Sequence, residues 1–121
     1  MPARPLVHFE IHGRDRKKLQ EFYGKLFGWE IQSMDEIGYS LVQPAPPPAG
    51  APAGVGGGIG QRDEGPMVTI YFQVPDLEAT LREAESMGGT KLMDPESVPG
   101  GPTIAMFADP EGNPIGLVRG D

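Results

Sequence analysis

Two stretches of sequence, Val-His-Phe-Glu-Ile at residues 7–11 and Val-Thr-Ile-Tyr-Phe at residues 68–72, lie 61 residues apart and decide the fold. In both stretches apolar side chains occupy every second position, which is typical of a strand with one buried face. An aspartate that can cap a helix follows each stretch at the same distance, Asp15 in the first and Asp76 in the second. The repeat therefore predicts two copies of one supersecondary unit.

The order of helical and strand patterns after each aspartate indicates which elements the repeated unit contains. A helical stretch comes first and short strands follow it, so that three strands lie between the two helices, or four if the glycine-rich segment pairs. A ferredoxin-like repeat would place only two strands there. The sequence thus predicts an α+β fold in one domain, with βαβββ units at about residues 5–61 and about residues 67–119. The predicted strands after the helices are residues 29–32, 39–43, 55–61, 90–93, 103–108 and 114–119.

Glycine and proline are concentrated in the first unit. Between Pro44 and Pro66, 13 of 23 residues are Gly or Pro. The segment at residues 44–54 cannot form helix or central strand, because proline lacks an amide donor and glycine is entropically costly to order. It is either a functional lid or an insertion in a surface loop, and we favour the insertion.

Composition excludes several classes of function. The chain has 121 residues, no cysteine and a net charge of −7, which rules out disulfides and thiolate sites and makes nucleic acid a poor partner. No apolar run is long enough to span a membrane, and the N-terminal residues lack the apolar stretch of a signal peptide. We expect a soluble cytoplasmic protein. The apolar stripe of the first helix is expected in the core under the sheet, together with the tryptophan after it: Phe22, Tyr23, Leu26, Phe27 and Trp29.

Three stretches carry a resemblance to a known superfamily. The first strand leads through Asp15 to the Phe-Tyr and Leu-Phe-Gly-Trp segments at residues 22–29, a Val-Pro-Asp-Leu segment lies at 74–77, and the turn Asp-Pro-Glu-Gly-Asn lies at 109–113. Together they resemble the vicinal oxygen chelate superfamily of glyoxalases, extradiol dioxygenases and bleomycin-resistance proteins, and most closely a glyoxalase-like branch related to lactoylglutathione lyase. The resemblance implies two βαβββ units that form a curved mixed sheet around a central cleft.

In catalytic members of that superfamily, a divalent metal is held by one residue on the first strand and one on the last strand of each unit. Carried onto this chain, the first-strand positions fall on His8 and Thr69, and the last-strand position of the second unit falls on Gly116. The remaining position falls within residues 56–60 or on Gln61. Only His8 is a metal-ligand type. We therefore expect no metal cofactor and negligible lactoylglutathione lyase activity.

The polar faces of the two first strands supply the candidate site. His8 and Glu10 alternate with the apolar residues, and His12 follows on the same face. Neighbours on one strand face lie roughly 6–7 Å apart, too far to chelate one ion easily without another element. His8 is thus a candidate acid or base, a metal ligand, or a structural histidine. We predict a catalytic set of His8, Glu10 and Tyr71, and ligand contacts from Thr69, Gln73 and Gly116. Tyr71 and Gln73 could instead satisfy each other in a polar core.

Three hypotheses remain open for function. The first is a metal-independent enzyme acting on a small oxygen-rich or amide substrate, with His8 or Glu10 moving a proton and Tyr71 steadying charge. The second is a non-catalytic binder of drugs or metabolites, as in bleomycin-resistance proteins. The third is a divalent-metal lyase or dioxygenase with unusual ligands. In each case the partner is a small molecule, and exposed edge strands predict a homodimer.

Overall fold

The computed structural model describes residues 2–120, which form two compact units. The N-terminal unit comprises residues 8–68, and the C-terminal unit comprises residues 69–120 together with residues 2–7. The elements in chain order are β1 Leu6–Gly13, α1 Arg16–Phe27, β2 Ile31–Met34, a 3-10 turn Asp35–Ile37, β3 Tyr39–Val42, β4 Gly57–Gln61, β5 Met67–Val74, α2 Leu77–Ser86, β6 Thr90–Ser97, β7 Thr103–Ala108 and β8 Pro114–Arg119. This order is βαβββ twice, so the predicted fold class is confirmed.

The two units share one strand arrangement. In the N-terminal unit the strand order is β2-β3-β4-β1, and in the C-terminal unit it is β5-β8-β7-β6. The first strand of each unit pairs in parallel with the last, β1 with β4 and β5 with β8, while the other pairs within each unit are antiparallel. Each unit is therefore mixed, and its first and last strands are hydrogen-bonded neighbours.

The predicted capping residues determine where the helices begin. The Asp15 carboxylate accepts a hydrogen bond from the Lys18 amide, and the Asp76 carboxylate accepts one from the Ala79 amide. Helix α1 ends at Gly28, which has a φ of 67°, a conformation that favours glycine. The predicted strand boundaries shift by a few residues. In particular, β2 begins at Ile31, and β6 continues to Ser97 through two register shifts.

The apolar faces of β1 and β5 point to the helix side, as the alternation predicts. In the C-terminal unit, Phe72 packs against a buried cluster formed by Val74, Leu77, Leu81, Ala105 and Leu117. In the N-terminal unit, the rings of Phe9 and Trp29 lie 5.4 Å apart. His8 and Glu10 alternate with Phe9 and consequently lie on the opposite face of β1.

The prediction that the apolar stripe of α1 is core is wrong for three of its residues, whereas Tyr23 and Trp29 are half-buried. Phe22, Leu26 and Phe27 are 56%, 59% and 58% exposed, and Tyr23 stacks between the aromatic rings around it. The reason is that Arg16 and Gln20, four residues apart, are the α1 side chains bonded to β3. A helix can present only one face to a sheet, and a polar bonded row occupies much of that face here.

Candidate functional site

Four side chains of the N-terminal unit form a hydrogen-bonded group, which we call the polar cluster: His8, Glu10, His12 and Tyr39. The Tyr39 hydroxyl donates to Glu10 Oε2 at 3.0 Å and lies 2.7 Å from His8 Nε2. His12 Nε2 lies 2.9 Å from Glu10 Oε1. The cluster is accessible, since the side chains of His8, His12 and Glu10 are 27%, 16% and 12% exposed. One carboxylate is thus surrounded by a phenol and two imidazoles.

The hydrogen-bond directions in the cluster follow from the number of protons available. An ionised Glu10 only accepts, so the single Tyr39 proton and a His12 Nε2 proton both point at its carboxylate. The Tyr39 oxygen must then accept from His8, which places a proton on His8 Nε2. A continuous chain therefore runs from His8 through Tyr39 to Glu10. His8 Nε2 also lies 3.6 Å from Glu10 Oε2, close enough for the carboxylate to stabilise a charged imidazole.

The glycines of β4 make room for this cluster. Glu10 pairs with Gly58 across the parallel ladder, and His12 pairs with Gly60. A Cβ built at Gly58 would overlap the Tyr39 hydroxyl, and one built at Gly60 would overlap the His12 ring. Glycines in a strand permit close approach of neighbouring groups, and the side chains that approach here are two members of the cluster.

The C-terminal unit repeats the same packing with different chemistry. Tyr71 is buried and pairs with Gly116, and its ring fills the space that a Cβ at Gly116 would take. Gln73 lies against Gly120 in the same way. The Thr69 hydroxyl donates to the Pro114 carbonyl at 2.8 Å. The residues predicted for the site are thus divided, with His8 and Glu10 in one unit and Thr69, Tyr71, Gln73 and Gly116 in the other.

Sequence reasoning missed Tyr39 and did not include His12 in the catalytic set. His12 was visible as the third polar residue on the β1 face. Tyr39 was not, because it lies 31 residues from His8 on a strand that reaches the cluster only through β4. The alternating glycines at 58 and 60 were the available signal, since a strand without side chains on one face leaves room for those of its neighbours.

The residues present do not fit the metal site of the superfamily. Strand register resolves the uncertain fourth position, because Gly58 opposite Glu10 corresponds to Gly116 opposite Tyr71. Both last-strand positions therefore lack a side chain, and Thr69 is bonded to a carbonyl. Gln61, the other candidate, accepts from the Arg16 amide and donates to the Arg14 carbonyl at the start of α1. Within residues 2–120, no group of three or more His, Asp or Glu side chains is arranged to hold a metal ion.

A separate groove of about 530 Å³ lies in the C-terminal unit beside α2, with Val74, Ala84 and Phe107 among its lining residues. Two of its three carboxylates, Asp76 and Asp109, accept backbone hydrogen bonds, from the helix start and from the closing turn respectively, and the third belongs to Glu83. Bonds from Asn113 lower the pKa of the Asp109 carboxyl, which favours its ionised form. None of the residues predicted for the site lines this groove. We place the candidate site at the polar cluster because acid–base groups converge there.

Comparison with known proteins agrees with this architecture. Residues 8–118 match the glyoxalase-like domain family. The chain belongs to that family. A glyoxylase-like domain-containing protein from Didymella fabae is 32% identical over 109 residues, covering 86% of this chain and 84% of the relative. The resemblance to the vicinal oxygen chelate superfamily seen in the sequence is confirmed.

Solved structures share the fold of this glyoxalase-like chain. Methylmalonyl-CoA epimerase from Streptomyces coelicolor, in complex with 2-nitronate-propionyl-CoA, has a TM-score of 0.67 at 20% identity and matches 98% of both chains. The epimerase from Mycobacterium tuberculosis has a TM-score of 0.58 at 20% identity, over 96% of this chain and 87% of the other. Identities this low establish the fold and leave the chemistry to the residues of the site. Among the described residues, no helix has the length and apolarity needed to cross a bilayer.

Proposed function

We propose that this glyoxalase-like protein binds a small carbonyl or amide compound at the polar cluster and transfers a proton through His8 without a divalent metal. The observation that carries the proposal is the chain of hydrogen bonds from His8 through Tyr39 to Glu10. Acid–base catalysis needs a group that gains and loses a proton near neutral pH, and histidine is the side chain suited to it.

The cluster supports the charge change that such a step requires. Because Nε2 carries the proton donated to Tyr39, His8 takes a proton from a bound compound at Nδ1, and the compound gains a negative charge and the imidazole a positive one. The Tyr39 oxygen at 2.7 Å and the Glu10 carboxylate at 3.6 Å then stabilise the imidazolium. Returning the proton to the compound restores both groups.

The ligands of the fold neighbours suggest a compound class. One neighbour is a methylmalonyl-CoA epimerase in complex with methylmalonyl-CoA. That ligand is a thioester, and a hydrogen next to a thioester carbonyl is acidic enough to be exchanged by a general base. We propose this class, carbonyl compounds with an acidic neighbouring hydrogen, as the first to test. We also propose that the protein acts in the cytoplasm as a homodimer.

The chain has only two histidines, which makes the binding test direct. In untagged protein, the ring signals of His8 and His12 can be followed by NMR while methylmalonyl-CoA, the methylglyoxal–glutathione adduct or simple amides are added. Binding at the cluster should shift both sets of signals. His8→Ala and Tyr39→Phe should each change affinity by about 1–2 kcal/mol, the worth of a hydrogen bond in a dry site. Tyr23→Phe is the matched control, because Tyr23 lies in the aromatic stack of α1.

Proton transfer is tested separately by solvent exchange. Incubation of a bound compound in D₂O should place deuterium next to its carbonyl, and His8→Ala should abolish that exchange while His12→Gln only slows it. A compound that shifts the histidine signals without any exchange would instead support the second candidate, a non-catalytic binder. That candidate is favoured by the bonds Glu10 already accepts within the cluster. Signals unmoved by every compound would refute both.

A further inference from the structure

We infer that Gly58 and Gly60 are positioning residues of the polar cluster, and that Arg16 holds β3 in place behind it. This inference rests on the proposed function for its significance but not for its geometry. Each glycine receives one cluster side chain, Tyr39 at Gly58 and His12 at Gly60. The empty face of β4 is thus a structural part of the site.

The first step concerns Gly58 and Tyr39. Tyr39 opens β3 directly after Gly38, and its side chain leans along the strand so that the hydroxyl lies over Gly58. A Cβ at Gly58 would overlap both the hydroxyl and the ring carbon that carries it. Alanine there would therefore force Tyr39 out of reach of His8 and Glu10. The His8–Tyr39–Glu10 chain exists because residue 58 has no side chain.

The second step concerns Gly60 and His12. A Cβ at Gly60 would overlap His12 Nδ1 and lie 2.6 Å from Cε1, so this edge of the ring lies close to the backbone of β4. This position leaves Nε2 directed at Glu10. The two glycines are two residues apart, so they share one face of β4, and each controls a different partner of the same carboxylate.

The third step concerns the opposite face of β3, where Ser40 follows Tyr39. Ser40 is fully buried, and its hydroxyl accepts from Arg16 Nη1 at 2.6 Å and donates to Gln20 at 2.7 Å. Arg16, 6% exposed, also donates to Ser33 and Asp35 at 3.1 and 2.8 Å. One guanidinium therefore ties the start of α1 to β2, the 3-10 turn and β3. Because adjacent residues of a strand are rigidly coupled, fixing Ser40 fixes the Cα of Tyr39.

The test uses the two histidines of the ligand-free protein. The Nε2–H of each ring is bonded, so its NMR signal should exchange slowly with solvent and be visible, and Tyr39→Phe should remove the His8 signal. Gly58→Ala should remove the His8 signal and leave that of His12, whereas Gly60→Ala should do the reverse. Gly24→Ala is the control, because a Cβ at Gly24 meets only Ile31 Cδ1, at 3.7 Å, and should change neither signal.

Arg16 is tested in the same way against another arginine of the unit. Arg16→Gln should weaken or remove the His8 signal by loosening β3, while Arg14→Gln should not, since Arg14 bonds only loop carbonyls among the described contacts. If Gly58→Ala leaves the His8 signal intact, or if the two glycine variants lose the same signal equally, the assignment of the glycines is wrong. If folded Arg16→Gln keeps an unchanged His8 signal, the inference that Arg16 holds β3 in place is wrong.

If Gly58→Ala is too unstable for NMR, a double-mutant cycle of denaturation midpoints tests the same inference. If Gly58→Ala destabilises the protein because it displaces Tyr39, then it should lower the denaturation midpoint far less in a Tyr39→Ala background. An equal drop in both backgrounds would overturn the inference. These outcomes are separate from the proposed function, because the histidine signals report the cluster without any ligand, and a protein with the expected signals that binds no compound refutes the function alone.

Discussion

Replacing Arg16 by methionine tests whether the buried polar network stabilises the N-terminal unit. Methionine fills similar volume but cannot donate, so Ser40 keeps its bond to Gln20 and loses the one from the guanidinium. A hydrogen bond to a charged group contributes about 1.5–3 kcal/mol. The bond to Ser40 is buried, so its loss accounts for most of the destabilisation. The contact with Asp35, whose side chain is 64% exposed, contributes little to stability. We expect Arg16→Met to lower the free energy of unfolding by about 2–3 kcal/mol, mainly from that bond.

The measurement is urea denaturation at neutral pH, with thermal unfolding as a second probe. For a chain of this size the loss corresponds to a fall in Tm of roughly 8–12 °C. Arg14→Met is the matched control and should change stability by no more than about 0.5 kcal/mol, because Arg14 bonds exposed loop carbonyls. If Arg16→Met were as stable as the control, the desolvation penalty of the buried guanidinium would equal the free energy gained from its hydrogen bonds. That result would refute the expected loss of stability.

The same network predicts a pH dependence whose sign follows from Asp35. Hydrogen bonds from Lys17, Arg16 and Ser33 hold the pKa of the Asp35 carboxyl well below its usual range. They therefore stabilise the folded protein above the pKa of an unfolded aspartate, about 3.9, and this stabilisation is lost as the pH falls through the lower folded-state pKa. Asp35→Asn should thus be less stable than the wild type at neutral pH, and the difference should shrink below about pH 4. A difference that grows on acidification would contradict this.

Three further predictions concern metal, assembly and core. After dialysis the protein should hold no stoichiometric Zn, Ni, Mn or Fe and should show negligible lactoylglutathione lyase activity with or without added metal. The reason is that Gly58, Thr69 and Gly116 occupy three of the four ligand positions. About one metal per chain by elemental analysis would overturn this. Light scattering at micromolar concentration should give twice the chain mass of 13.0 kDa, and a monomer mass would disprove the homodimer. Phe72→Ala should cost about 3 kcal/mol or more in chemical denaturation because it leaves a core cavity, while the exposed Phe22→Ala should cost much less; equal costs would show that the faces are misassigned.

Much of the fold could be predicted because its signals are local. Alternation along residues 7–11 and 68–72 placed Phe9 and Phe72 on the helix side, and Asp15 and Asp76 begin the helices as predicted. Strand parity and helix capping depend on a residue and its nearest neighbours in the chain, so they can be read without knowledge of the tertiary structure. The βαβββ order followed from counting such segments.

The face of α1 that meets the sheet could not be predicted in this way. The spacing of Phe22 and Leu26 correctly indicated a stripe along the helix but not what the stripe faces. Arg16 turns toward β3 because buried Ser40 and the neighbouring Asp35 supply acceptors for its donors there. Both acceptors come from later segments of the chain, so the sequence of the helix alone does not indicate which of its faces packs against the sheet.

The candidate site, too, was predicted only in part from the sequence. By itself the sequence determined that His8, Glu10 and His12 share one face of β1, since the period of a strand is fixed by its backbone geometry. Only the tertiary structure decided that Tyr39 joins them, because its place depends on β3 pairing with β4 and on β4 having no side chains at positions 58 and 60. A hydrogen bond across 31 residues is a property of strand pairing, and pairing is selected by the packing of the whole unit rather than by any short segment.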